Sequence, residues 1–196
     1  MKWPLYKALP RRIRNYKLDL SFSNVLRYMD LCENKDGLTD DDIIDISFEW
    51  FVGTKKVTQD TKIEILNEIF SEYINPPRRK LKNNSINQAV VDFNIDSGYI
   101  YASFMQAYGI DLYDNPELHW CKFIALFEGL PEDCIIKQIM HIRAQEIPKP
   151  TKYNAEEIQR ITELKTLYAL PSATDESSLL SSLDKLFDTM ERQAKS

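Results

Sequence analysis

Glycine is scarce in this chain, five residues among 196. Tight hairpins, phosphate-cradling loops and strained catalytic turns all draw on glycine where positive φ is required. The scarcity argues for helices and against architectures built on such turns. Histidine is scarcer still: His119 and His141 are the whole supply. They stand far apart, with no HExxH helix and no paired CxxC to complete a metal site. The cysteines Cys32, Cys121 and Cys134 are an odd number at spacings of no metal motif. Reduced thiols are therefore expected, not disulfides. No stretch approaches the roughly 18 apolar residues of a transmembrane helix. The opening MKWPLYKALPRRIRNY is basic but broken by Pro4 and Pro10, so neither a signal peptide nor a membrane span is expected. Positive charge is in deficit too: 25 bases against 30 acids give a formal charge of −5. That field repels phosphate backbones, so a nucleic-acid role would need a strong local basic patch.

What is present describes an ordinary globular protein, with 43% hydrophobic and 28% charged residues. The length suits one domain with a real core. The expected fold is mainly α: a single multi-helix domain over residues 1–171, with a small β-hairpin inside 1–22. A polar C-terminal tail of helical pattern, 172–196, completes it.

Along the chain, YKLDLSF (16–22) alternates apolar and polar residues like a half-buried strand, and PLYKAL before it is the candidate second arm. Val25, Leu26, Met29 and Cys32 recur at helical spacing, with Ser21 or Ser23 as cap. Thr39 followed by three aspartates is a strong helix start, because the hydroxyl caps free amides and the acids favour the positive end of the dipole. Ile43, Ile46, Trp50 and Phe51 would form its apolar face, and Gly53 its end. A further helix over about 59–73 carries Ile63, Leu66, Ile69, Phe70 and Tyr73 on one stripe. The Pro-Pro and basic stretch 76–85 interrupts the pattern as a loop.

Between Ile95 and Tyr108 bulky residues surround nearly the whole circumference, so this helix is expected at the centre of the core, capped by Gly109. Tyr99, Phe104 and Tyr108 are its core candidates. Pro116 suits a first helical position ahead of Leu118, Trp120, Phe123, Ile124 and Phe127. Trp120, Phe123 and Phe127 at helical spacing read as buried core. A short amphipathic helix follows through Ile135, Ile136, Ile139, Met140 and Ile142, then the rigid connector IPKPTKY. Asn154 with Glu157 resembles a capping box before Ile158, Ile161, Leu164 and Leu167. In the tail, Leu179, Leu183, Leu186, Phe187 and Met190 share helical spacing, a pattern that orders against a partner because a lone amphipathic helix is marginal in water.

No credible catalytic constellation emerges, and no enzyme activity or cofactor is expected. His119 and Cys121, two apart on a regular helix, would point roughly 200° away from one another. The aspartates 40–42 lack the alternating ligands and glycine of an EF-hand loop. The basic runs RRIR (11–14) and RRKLK (78–82) have no interleaved aromatics for base stacking. They read first as solvated basic segments able to dock an acidic protein surface.

The ordered strings DFNIDSGYIYASFMQAYGIDLYD, LHWCKFIALFEGLPED, IPKPTKY and ELKTLYALP, with YKLDLSF and EWFVGTKKVTQ upstream, resemble the bacteriophage Gp15 family of long-tailed phages and prophages of Gram-positive bacteria. The likeness covers nearly everything up to Pro171. Cys121 departs from the pattern, where a second tryptophan beside Trp120 would be expected. The resemblance implies a tail assembly chaperone that coats the tape measure protein, keeps it soluble, and leaves as tail tube subunits polymerise. Such a protein would work in the host cytoplasm and be absent from the finished virion. Its expected partners are the tape measure protein, the tail tube protein and other copies of itself. Candidate client-facing residues are Arg78, Arg79, Lys80 and Lys82 in the basic loop and Leu179, Leu183, Leu186 and Phe187 in the tail. The competing reading is a prophage-encoded nucleic-acid-binding or regulatory protein that uses the basic runs.

Overall fold

The computed structural model describes residues 4–34, 37–74, 90–151 and 153–170. Among these residues lie one two-stranded antiparallel hairpin and seven α-helices, so the mainly α architecture stands. No described helix is long and apolar enough to cross a membrane. The expected client-facing residues in 78–82 and 179–187 lie outside the described residues. The described chain divides into two compact units. The first contains residues 4–74 and 113–128, and the second 90–112 and 129–170.

In the first unit the hairpin pairs β1 (Arg12–Ile13) with β2 (Tyr16–Lys17). The second arm is thus not PLYKAL, whose Leu5 and Tyr6 are almost fully exposed. Arg14 takes φ 49° in the turn between the strands, which is what a two-residue hairpin of this hand demands. Beyond β2 the period-2 reading holds as burial as far as Leu20: Leu18 and Leu20 are buried and Asp19 between them is exposed, whereas Ser21 is buried along with Phe22. Helix α1 (Phe22–Glu33) starts where Ser21 accepts a hydrogen bond from the Asn24 amide. Helix α2 (Asp40–Val52) has the full capping box at Thr39, with Asp42 reaching back to the Thr39 amide at 2.9 Å. Its buried face is Ile43, Ile44, Ser47, Phe48 and Phe51, with Ile46 and Trp50 only half-buried. Trp50 instead carries the Arg27 guanidinium 4.3 Å above its ring.

Helix ends leave carbonyls without intrahelical partners. At the end of α2 the Asp19 amide donates to Phe51 O (2.8 Å) and Asn24 Nδ2 to Trp50 O (3.0 Å), tying the extended segment to the helix. Helix α3 (Gln59–Ile69) runs into a π-helical turn, Phe70–Ile74. That turn swings Phe70 into the core, where it stacks on Tyr28 at 4.5 Å and meets Phe51 edge-on at 5.8 Å. All three rings are at most 1% exposed. Each buried ring of this size contributes about 1.5–3 kcal/mol of transfer energy.

Helix α5 (Trp120–Glu128) also belongs to the first unit. It does not begin at Pro116. Leu118 and His119 are held extended by a bridge: the Phe22 amide donates to Leu118 O (2.8 Å) and the Trp120 amide to Leu20 O (2.7 Å). Trp120, Phe123 and Phe127 are buried, and Phe123 stacks on Phe22 at 4.8 Å.

The second unit contains α4 (Ser97–Tyr108), α6 (Ile135–Ala144) and α7 (Ala155–Leu167). Gly109 ends α4 at φ 63°, the left-handed cap expected of it. The expectation that α4 is buried all round fails. Only Ile100, Ser103 and Phe104 are buried; Tyr99 is 40% and Met105 41% exposed, and Tyr108 is half-buried. On α7 only Ile161 is buried, and Leu167 is 71% exposed. Asn154 forms no capping box. Its side chain turns back to the Pro-rich connector, accepting from the Thr151 amide at 2.7 Å and donating to Lys149 O at 3.0 Å.

Candidate functional site

Three places combine functional side chains with unusual surroundings. The first is His119, whose non-helical backbone lets its carbonyl accept from the Phe123 amide (3.0 Å), so it stands as the N-cap of α5. Its ring has two fixed partners: Nδ1 accepts from the Cys121 amide at 3.2 Å, and Nε2 lies 2.9 Å from Pro10 O. An amide can only donate and a carbonyl only accept, so the ring is neutral with its proton on Nε2. Burial pushes its pKa below the ordinary 6.5, the Pro10 carbonyl opposing, with Arg11 and Lys122 adding a smaller downward push. The Cys121 amide, not its thiol, is what His119 engages. Burial also raises the Cys121 thiol above its ordinary value, the reverse of what a nucleophile needs. His119 is a cap and a tether for the segment at Pro10.

The second place is a buried ion pair that the sequence reading did not single out. Arg143, on the same stripe of α6 as Ile136 and Ile139, forks onto Asp96 through Nη1 (2.6 Å) and Nη2 (2.8 Å). Nε donates to Tyr168 O (2.6 Å), and Nη1 also donates to Val90 O (3.0 Å). Asp96 is fully buried and also accepts from the Asp92 amide at 3.0 Å. Every strand of chain entering this knot is thereby fixed, which is how a buried charge pair offsets its desolvation. The signal in the sequence was a charge at position 143 on an otherwise apolar stripe. Lys165 works nearby, donating to Arg143 O (2.6 Å) and Gln145 O (2.7 Å) at the end of α6.

The third place is the outer face of α4. Gly98, Tyr99, Ala102, Met105 and Gln106 are exposed along it, and the helix Ser97–Tyr108 contains no charged residue. Tyr99 meets Tyr168 edge-on at 6.3 Å, next to exposed Leu167. Surface helices usually carry charge on the solvent side, so a neutral exposed face of tyrosine and methionine resembles the centre of an interface.

Among the described residues no group of three or more His, Cys, Asp or Glu side chains is placed to hold a metal ion. A scan against family models matches residues 6–170 to the bacteriophage Gp15 protein family. No curated protein and no solved structure matches the chain. The match spans the hairpin, all seven described helices and both buried polar anchors, and the chain belongs to the bacteriophage Gp15 family.

Proposed function

We propose that this phage protein is a tail assembly chaperone without catalytic activity, acting in the host cytoplasm. It binds the tape measure protein, keeps that long helical client soluble, and is displaced as tail tube subunits polymerise around it. The observation that carries the reading is the family match over residues 6–170, taken with what the resemblance implies for such proteins. A holding chaperone also needs apolar surface that its own core does not consume, and the uncharged exposed face of α4 supplies some. Many weak copies along one client give avidity while leaving each copy displaceable.

The test is co-expression with the tape measure protein of the same phage, scoring that protein's soluble fraction and its co-purification at moderate salt. Chaperone activity predicts a soluble, co-purifying client whose capture persists as salt rises. An insoluble client beside abundant folded chain contradicts it. Capture of nucleic acid that collapses between low and moderate salt would instead favour phosphate binding by the basic runs.

A further inference from the structure

The exposed face of α4, from Gly98 to Gln106, is a strip about 12 Å long, eight helical rises. Tyr99, Ala102 and Gln106 recur along it at intervals of three and four, with Met105 beside them, while Ile100, Ser103 and Phe104 point the other way into the core. The strip itself is neutral, so a charged group laid on it would lose hydration and find nothing to pair with. The unit that carries it is not neutral. The described part of the second unit has nine acidic residues against five basic ones. Arg143 and Asp96 cancel one another, which leaves eight acids against four bases, and one of those four, Lys165, is bound to the carbonyls ending α6. The partner surface that fits is therefore an apolar stripe flanked by basic residues.

The same charge balance weighs against the other occupants. A second copy would bring the same acidic unit against itself. The chain's own residues 171–196 have five acids and three bases, again the wrong sign. We infer that the Tyr99–Met105 face of α4 receives an amphipathic helix of the tape measure protein, one whose apolar stripe is bordered by lysine or arginine. This rests on the chaperone reading above and names the surface and the client chemistry for it.

The test uses the full chain co-expressed with the tape measure protein of the same phage, comparing wild type with Tyr99→Lys, Met105→Lys, Tyr99→Glu, Met105→Glu and, as a control on the first unit, Leu5→Lys. Tyr99 and Met105 are two-fifths exposed, so a charge there leaves folding intact, which circular dichroism checks. Either lysine is expected to lower client recovery about tenfold, the cost of disturbing an interface centre. Either glutamate should lower it less, because it faces basic flanks, and Leu5→Lys should leave it unchanged. A merely structural defect in this acidic unit would hurt glutamate more than lysine, the opposite order. Full recovery by all variants overturns the inference while leaving the chaperone reading intact, and greater loss with glutamate overturns the client's charge. Wild type that fails to hold the client sinks both. Sedimentation of the chain alone that shifts with Tyr99→Lys would assign the face to a second copy. Increased amide exchange over 97–108 in the unliganded chain on Leu183→Glu or Phe187→Glu would assign it to the chain's own tail. Either of these results also overturns the inference.

Discussion

The two units keep order by different means. The first packs most of its aromatic residues inward, with Tyr6 and Tyr113 left exposed: Tyr28, Phe51 and Phe70 form one closed cluster, and Phe22, Trp120 and Phe123 another. The second spends fewer of its bulky residues on a core. It fixes its backbone with the Arg143–Asp96 fork and leaves Tyr99, Met105 and Leu167 in solvent. An apolar side chain committed to a core is unavailable to a partner. A unit held by a buried ion pair can leave apolar residues outside, and that is the property a holding protein requires.

The largest effects should come from the element that holds each unit. Arg143→Met strands a fully buried Asp96 carboxylate and is expected to cost about 3–5 kcal/mol. Adding Asp96→Leu should recover a substantial part, and urea titrations of the single and double variants measure that coupling. Phe70→Ala empties the centre of the first cluster and is expected to cost about 3–5 kcal/mol. Amide exchange should then rise first in α1–α3 for Phe70→Ala, and first in α4 and α6 for Arg143→Met. Identical exchange patterns would erase the contrast between the units.

Smaller changes sharpen it. Thr39→Ala removes half of the α2 capping box, and a loss of about 1 kcal/mol is expected by thermal denaturation. His119 adds a pH dependence confined to the first unit. Its folded pKa lies below 6.5 because burial favours the neutral ring. The unfolded chain therefore takes up a proton near pH 6.5 that the folded chain resists. The stabilisation is fully present above that pH and is lost as pH falls through the interval down to the folded value. His119→Asn keeps a capping side chain without titrating, so its stability should fall less than wild type's between pH 7.5 and 5.5 in urea titrations. The smallest effect belongs to Tyr28, whose buried hydroxyl has the weakly bonding Cys32 thiol beside it and no nitrogen or oxygen partner among the described residues. Tyr28→Phe should change stability by less than about 1 kcal/mol, towards the stable side.

Much of this was legible in the sequence where local chemistry decides. Thr39 before three aspartates, a serine at 21 or 23 as a cap and Gly109 as a left-handed stop all need only residues within one turn, and the structure has Thr39, Ser21 and Gly109 in those places. The readings that failed depend on distant partners. Pro116 offered a helix start, but the bridge from Leu20 and Phe22 to Leu118–Trp120 holds that stretch extended until Trp120. Asn154 looked like half of a box, yet the connector claims its side chain. The α4 helix is bulky all round in sequence, which burial usually explains, but a helix reserved for a partner has the same pattern. Periodicity cannot separate a core from an interface, since both exclude charge. For Arg143, the same stripe that marks the core face also hid the ion pair, because Asp96 lies 47 residues away in the chain.

The most direct test of the account is amide hydrogen exchange on the full chain, alone and co-purified with the tape measure protein. The account predicts that client binding slows exchange across residues 97–108 while α2, residues 40–52, is unchanged. Slowing confined to the first unit, with 97–108 unaffected, would contradict the claim that the second unit keeps its apolar helix for a partner.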